Sequence, residues 1–407
     1  MNDSRFRAGS PLTDLLSELG EMSERPLAEA LTLPPDAYRS AAFLDLEIEH
    51  IFRREWVCVG RADEIPHPGD YFTGTIIDEP LLIVRGHDGD VHALSNVCRH
   101  RWTPLKSDRG HAASFQCPYH AWTYDLSGQL IGAPFMDKSP GFDLRHCRLP
   151  GFRSEVWQGF IYVTLDDDAA PLAPRLEDLA KTLKHYHLGD MRTVVSEEEV
   201  WDCNWKALAE NAMESYHLFK VHKDTLEPFF PTAQLEMRAG GAGYNLHRGP
   251  MREGVDYAGA ADAAALNADL TPLEQRSLWL SCVYPSHVIA VSFGSAIWIA
   301  MQPFGVHQVK LRWGYAQSAG FPEPGTTEGA AYREGVRQGV GIINGEDRGI
   351  VTLLQRGVTA SRAGRGRLSY LDWPIWEFGR YLARRIVGGL ASLDPRVCRA
   401  KTAISSG

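Results

Sequence analysis

The sequence predicts an α+β protein of two units, a small antiparallel β domain followed by a larger α+β domain with an antiparallel sheet and helices. Three observations carry this expectation. At 407 residues the chain exceeds the ~250–300 residues at which a single hydrophobic core stops growing. Short β-rich runs dominate residues 51–168. Beyond a linker at residues 169–174, Ala-Ala-Pro-Leu-Ala-Pro, helical and strand-like segments share the rest of the chain.

The elements follow in order. Residues 1–50 mix helical patches with a proline-rich stretch at Leu33-Pro34-Pro35, and form an N-terminal helical segment expected to pack on the larger domain. Residues 44–52 read as a helix leading into Trp56. Residues 71–77, 81–85 and 91–94 are strand-like, and Gly86-His87-Asp88-Gly89-Asp90 between the last two is a hairpin signal. Residues 159–165 form another strand, closed by Asp166-Asp167-Asp168. The second domain, residues 175–407, opens with helical patterns over 175–186 and 204–222. Four strand-like runs follow at 279–284, 288–293, 296–302 and 307–316. Residues 326–357 return to helix, with a break expected near Asn344-Gly345. Asp372-Trp373-Pro374 opens a final helix carrying Arg384-Arg385 near its end.

Composition excludes several function classes. A formal net charge of −9 argues against a nucleic-acid partner or an anionic membrane. The first twenty residues lack a basic segment followed by an apolar one, so no secretory signal is expected. No run approaches the ~20 apolar residues of a membrane span. Of seven cysteines, Cys58, Cys147, Cys203, Cys282 and Cys398 show no paired spacing. They read as reduced thiols in a cytoplasmic protein.

The remaining two cysteines are different. Cys98-Arg99-His100 is followed by Cys117-Pro118-Tyr119-His120. Two thiolates and two imidazoles in this pattern suit a Rieske [2Fe–2S] cluster, in which one iron keeps both thiolates and the other takes both histidines. Such donors also suit structural zinc, but zinc pairs usually come as C-x-x-C or H-x-H, not C-x-H and C-x-x-H. The loop Gln116 to Asp125, rich in bulky and turn-forming residues and followed by Ser127-Gly128, favours the cluster.

A second loaded segment runs from Asn204-Trp205-Lys206 through Glu210-Asn211 and Glu214 to His217 and His222. On a regular helix Glu210, Glu214 and His217 share one face. His222 falls about 140° from His217 at ~100° per residue. A shared ligand therefore requires the helix to end, bend or bulge near Phe219-Lys220. Two histidines and a carboxylate make the facial triad of non-haem Fe(II) oxygenases, with open positions for O₂ and substrate. The carboxylate must come from elsewhere, and Glu346 or Asp347 at a helix start offers it. By position alone, both acids would simply favour the positive end of that helix.

Taken together, C-x-H, C-P-Y-H-x-W-x-Y, N-W-K, E-N and Y-H-x₄-H resemble the α subunit of Rieske non-haem iron oxygenases of the ring-hydroxylating type, over nearly the whole chain. The resemblance implies a Rieske domain at 51–168 and a helix-grip, START-like catalytic domain. It implies Cys98, His100, Cys117 and His120 as cluster ligands and His217, His222 and Asp347 as ligands of a mononuclear Fe(II), with Glu346 as runner-up for the third place. Glu214 matches the carboxylate that joins the two metal sites by hydrogen-bonding a cluster histidine, here His120, of a neighbouring subunit in a homotrimer. Many members carry Asp there, and Glu214 is shared with the carnitine- and betaine-type branch. The implied activity is mono- or dioxygenation with O₂, fed by a separate NAD(P)H-dependent reductase and a possible ferredoxin. A quaternary-ammonium substrate would call for an aromatic cage, for which Trp279, Tyr284, Phe293, Trp298 and Trp313 are available. An aromatic acid is the rival substrate and would call for a basic residue, which nothing in the sequence marks out.

Overall fold

The structure, a computed structural model, describes residues 11–255, 267–318, 322 and 325–393; Cys398 lies outside them. In chain order the helix α1 spans Pro11–Met22, α2 Ala41–Glu47, α3 Glu177–Leu183, α4 Trp205–Met213, α5 Leu218–Val221, α6 Thr327–Val358 and α7 Trp373–Leu393. The strands are β1 Val57–Arg61, β2 Asp70–Ile76, β3 Glu79–Arg85, β4 Val91–Ser95, β5 Arg109–His111, β6 Phe115–Gln116, β7 Thr123–Tyr124, β8 Leu130–Gly132, β9 Gly151–Trp157 and β10 Phe160–Thr164. They continue as β11 Arg192–Trp201, β12 Glu236–Gly241, β13 Tyr244–Pro250, β14 Ser277–Val283, β15 His287–Ser292, β16 Ser295–Pro303 and β17 Val309–Gln317.

Two seven-stranded antiparallel sheets carry the architecture, ordered β1-β10-β9-β4-β3-β2-β5 and β11-β17-β16-β15-β14-β13-β12, with a three-stranded ribbon β6-β7-β8 beside the first. The expected α+β class holds. The β3–β4 hairpin closes where Gly86 N donates to Asp90 O at 2.8 Å, and Gly89 supplies the φ of +85° the turn needs. Strand β3 is buried on both faces. Leu81 and Ile83 join the main core, while Leu82 and Val84 join a smaller core with Leu94, Cys98, Phe115, Cys117 and Tyr124. Successive strand side chains point to opposite faces, so one strand seals two cores.

The helix expected at 44–52 begins earlier, with Ser40 Oγ accepting from Phe43 N at 3.2 Å, and its last turn, Ile48–Phe52, is a π-turn. That turn buries Ile51 and Phe52 completely. α1 packs along α7, bringing the N-terminal segment onto the second sheet's helices. Two expectations are corrected. Residues 204–222 are not one helix: α4 stops at Met213, Glu214 is extended (φ −118°, ψ 166°), and α5 starts only at Leu218. α6, by contrast, runs unbroken for 32 residues through Asn344-Gly345.

The first sheet is clamped to the second by buried charge. Arg61, 0% exposed, donates to Leu188 O at 2.9 Å, Met191 O at 2.8 Å and Asp63 Oδ1 at 2.9 Å, and its guanidinium lies 4.6 Å from the Phe160 ring centroid. From the other side, Arg312 donates to Val59 O at 2.7 Å and to Glu64 Oε1 at 2.6 Å. A buried cation is stable only when hydrogen-bonded in this way. Tyr162 and His287 complete the seam, Oη to Nδ1 at 2.6 Å. Among the described residues no helix is long and apolar enough to cross a membrane.

Candidate functional site

The cluster-type donors sit at the tips of two loops. Cys98 and His100 follow β4; Cys117 and His120 lie between β6 and β7. Tight turns shape both tips: Trp102 N donates to Cys98 O at 3.0 Å and Ala121 N to Cys117 O at 3.1 Å. Trp102 and Ala121 take φ of +56° and +58°, the left-handed region that non-glycine residues rarely enter. The thiols are buried, His100 is half-buried and His120 is exposed. The two imidazoles approach with ring centroids 4.6 Å apart, and His100 stacks on Trp122 at 4.8 Å. Tyr124 Oη accepts from Arg99 N at 3.0 Å, which leaves its own proton to point at Cys98 Sγ, 3.4 Å away. Among the described residues His100 Nδ1 is buried without a partner. Two buried thiols and two converging imidazoles, one with an orphaned nitrogen, fit a Rieske cluster. The rim is aromatic and open: Trp102 is 80% exposed, Tyr119 56% and Phe135 92%.

The second centre forms where α4 gives out. Glu214 turns back on the segment after it, Oε1 meeting His217 Nδ1 at 2.5 Å and Oε2 accepting from Tyr216 N. The sequence reading put Glu214 and His217 on one helix; instead, the break lets the carboxylate hold the histidine. The one-turn helix α5 then returns the chain so that His222 faces His217, ring centroids 5.0 Å apart. Asp347 comes from the middle of α6. Its Oδ1 lies 3.5 Å from His217 Nε2 and 3.1 Å from His222 Nε2, and also accepts from Asn211 Nδ2 at 2.8 Å. One ligand atom from each of His217, His222 and Asp347 lies within 4.8 Å of the others.

The geometry separates Asp347 from Glu346. On a helix neighbouring residues diverge by ~100°, so only Asp347 faces both Nε2 atoms. Glu346 instead meets His222 Nδ1 at 2.7 Å and accepts from Thr225 Oγ1 at 2.8 Å. Each histidine is therefore gripped at Nδ1 by a carboxylate and presents Nε2 inward, which is how protein metal sites fix tautomer and ring direction. Burial works against charge on His217, but Glu214 and Asp347 outweigh it and push its imidazole up to about 10. Burial likewise opposes the Asp347 charge, yet hydrogen bonds from both histidines hold it well below the usual carboxylate range. His247 sits beside them, Nε2 to Ser215 Oγ at 2.7 Å. Burial first and the charge of His217 second push His247 down to about 4. The donor set, two imidazoles and one carboxylate on one side, fits a mononuclear iron.

The aromatic residues expected as a cage lie elsewhere. His247 pairs with Leu280 across β13 and β14, so Trp279, the next residue, points to the opposite face. Trp298 shares that face, opposite Gly314, where an added Cβ would stand 2.6 Å from its indole. Trp279, Phe293 and Trp298 all pack in the core that also holds Trp56, Phe160 and Tyr162. Tyr284 stacks on Tyr381 at 4.5 Å, and Trp313 Nε1 donates to Glu199 at 2.7 Å. All five are core residues.

Sequence reasoning missed the parts of the site supplied by distant chain. The missed residues are Asn211 on Asp347, Thr225 on Glu346, and the Ser215–His247 pair. It also missed the network behind the N-W-K motif. Lys206 Nζ, fully buried, meets Glu47 Oε1 at 2.7 Å and Asn204 Oδ1 at 2.9 Å, and Trp205 Nε1 donates to Glu47 Oε2 at 3.0 Å. Tyr38 Oη lies 2.8 and 2.6 Å from the two oxygens of Glu210.

Comparisons with known proteins match both parts of the chain. The Rieske [2Fe-2S] domain family matches residues 55–151, and the ring hydroxylating alpha subunit (catalytic domain) family matches residues 180–388. The glycine betaine monooxygenase oxygenase subunit of Chromohalobacter salexigens is 36% identical over 196 residues, 48% of this chain and 44% of that protein. The carnitine monooxygenase oxygenase subunit of Escherichia coli is 33% identical over 197 residues, 48% and 53%. Against these relatives the chain spans about half their length. The chloroplastic choline monooxygenase of Arabidopsis thaliana is 26% identical over 393 residues, 93% and 87%. Among solved structures, the quaternary ammonium Rieske monooxygenase CntA with L-carnitine matches with TM-score 0.74 at 23% identity, covering 92% of this chain and 98% of that one. Naphthalene 1,2-dioxygenase from Rhodococcus sp. matches with TM-score 0.76 at 20% identity, 92% and 98%. At such identities these two show the shared fold. With the catalytic-domain match alone spanning half of the sequence, the chain belongs to the ring-hydroxylating oxygenase α-subunit family, whose cofactors are a Rieske [2Fe–2S] cluster and a mononuclear iron.

Proposed function

We propose that this chain is a terminal oxygenase component, and that its substrate is a small quaternary-ammonium or N-methyl compound, hydroxylated or oxidatively demethylated with O₂. The observation that carries the reading is the convergence of His217 Nε2, His222 Nε2 and Asp347 Oδ1 in a chain that also presents the Cys98/His100 and Cys117/His120 donors. The first set would hold the iron and the second the cluster. When bound, these groups supply one-electron transfer and O₂ activation. The protein's own contribution is orientation: Glu214 and Glu346 fix the two imidazoles, and Asn211 steadies Asp347.

Residues 51–168 are read as the cluster domain, 175–407 as the catalytic domain, and 1–50 as a segment packed on the latter. His120, exposed among open aromatic residues, is the histidine that would meet Glu214 of another subunit in a homotrimer, the carboxylate then holding an imidazole on either side. An NAD(P)H-dependent reductase, with or without a ferredoxin, would supply electrons. Support for a cationic substrate comes from the relatives and from charge. Among the described residues, none of Glu214, Glu346 and Asp347 is paired with a lysine or arginine. The absence of the expected aromatic cage keeps an aromatic acid as the second reading.

The test is O₂ uptake and product formation by the iron-loaded protein with a surrogate reductase and NAD(P)H. The panel is glycine betaine, carnitine, choline and aromatic acids. Coupled turnover of a quaternary-ammonium compound is expected; coupled turnover of aromatic acids alone would replace it with the second reading.

A further inference from the structure

α6 buries few side chains. Val340, Asn344, Val351 and Gln355 are buried, and with Asp347 they lie at helical spacing along one side of the helix. Asn344, 5% exposed and one turn before Asp347, has no hydrogen-bond partner for its Nδ2 among the described residues. On β13, beside His217, His247 is 1% exposed; its Nε2 meets Ser215 Oγ, and among the described residues its Nδ1 has no partner. The register places His247, Leu280, Ala290, Ile297 and Tyr315 in one row across β13 to β17. Leu280 and Val340 share one core, with Ala290, Ile297 and Tyr315 packed against it.

Leaving a buried amide or ring N–H without an acceptor costs about 1–3 kcal/mol each. Here the Asn344 amide is such a group, a helical turn before Asp347, and His247 Nδ1 is a second in the tautomer whose Nε2 accepts from Ser215 Oγ. Small-molecule sites have this make-up, an apolar lining with a few polar atoms that set orientation.

We propose that Asn344 Nδ2, assisted by His247 Nδ1, hydrogen-bonds an oxygen acceptor on the substrate, at the end remote from the carbon that is oxidised. The inference rests on reading the His217–His222–Asp347 centre as the oxidising site. It deepens that reading by requiring a carboxylate or hydroxyl oxygen in the substrate. The Asn344 amide carries no charge, so the oxygen end is recognised there without a counter-ion.

Calorimetric binding to the oxidised, metal-loaded protein without reductant tests it, with glycine betaine, choline, benzoate and the oxygen-free tetramethylammonium as probes. Asn344→Leu is expected to weaken every oxygen-bearing probe that binds by about 10- to 100-fold, and to leave tetramethylammonium as in the wild type. Asn344→Asp, which keeps the shape should the leucine variant not fold, is expected to weaken the carboxylates more than choline. Weakening of tetramethylammonium to the same extent, or no change for the oxygen-bearing probes, overturns the proposal; so does a wild type that binds none of them. Asn344-dependent binding of benzoate alone would uphold the inference while removing the quaternary-ammonium reading. Betaine binding indifferent to Asn344 would do the reverse.

Discussion

Replacing Glu346 with glutamine separates the two adjacent acids by role. In the structure Glu346 meets His222 at its outer nitrogen alone, at 2.7 Å, accepts from Thr225 Oγ1 as well, and its side chain is 28% exposed. A hydrogen bond assisted by charge contributes about 1.5–3 kcal/mol, here at the lower end because water reaches the carboxylate. Glu346→Gln should therefore weaken metal binding about 10-fold, within the range known for residues that orient metal-binding histidines. Asp347→Ala removes an atom that faces both Nε2 positions, and should abolish stoichiometric binding. The assay is competition for Fe(II) or Co(II) against a chelator, with cluster absorbance as an internal control for folding. Retained stoichiometry in Asp347→Ala together with its loss in Glu346→Gln would refute the assignment.

Three further outcomes are expected. Tyr124→Phe removes the one hydroxyl aimed at Cys98 Sγ; a hydrogen bond to sulfur favours the reduced cluster, so the midpoint potential should fall by roughly 40 mV for a differential of about 1 kcal/mol, and an unchanged potential by redox titration would refute the contact. Burial, only partly offset by Tyr38 and Lys206, pushes Glu210 up from 4.5 to about 7. A raised carboxyl stabilises the fold below the unfolded value and loses that contribution as pH rises through the folded one. The wild type should thus lose about 3 kcal/mol between pH ~4.5 and ~7 relative to Glu210→Gln, and superimposable pH–stability curves would contradict this. Arg61→Met strips the partners from two buried carbonyls and Asp63; a loss of about 3–5 kcal/mol, read as a lower denaturation midpoint, is expected, and a surface-like change below about 1 kcal/mol would exclude the clamp.

How much of this was legible beforehand depended on where each interaction's partners lie in the chain. Both cluster loops could be read because each holds a Cys and a His within three residues. Spacing alone could not tell Asp347 from Glu346, since one residue on a helix changes direction while composition stays the same; only the family resemblance put Asp347 first. The end of α4 at Met213 went unseen because no Gly or Pro marks it. The stop is made by the Glu214 carboxylate binding Tyr216 N and His217, so a side chain competes with the helix for backbone partners. The reverse error occurred at Asn344-Gly345, where the packed seam of α6 overrides the weak helical propensity of glycine. Strand β11 was hidden by Glu197-Glu198-Glu199, charges tolerated because it is a sheet edge. The aromatic cage failed in two ways: Trp279 and Trp298 sit on the sheet face away from His247, while Trp313, two residues from Tyr315 on the near face, and Tyr284 are taken up by core packing.

The break after α4 leaves the iron-type site mounted on two unequal supports. Asp347 stands in the middle of a 32-residue helix, whereas His217 and His222 flank a single four-residue turn, held by their carboxylate partners, by Leu218 in the core and by the bond from Phe219 N to Thr232 Oγ1. Stiffness is therefore lopsided, and metal should leave by local fraying of the histidine arm while the rest of the molecule stays folded. Loading the site would quiet amide exchange across residues 215–222 and leave that of α6 nearly untouched.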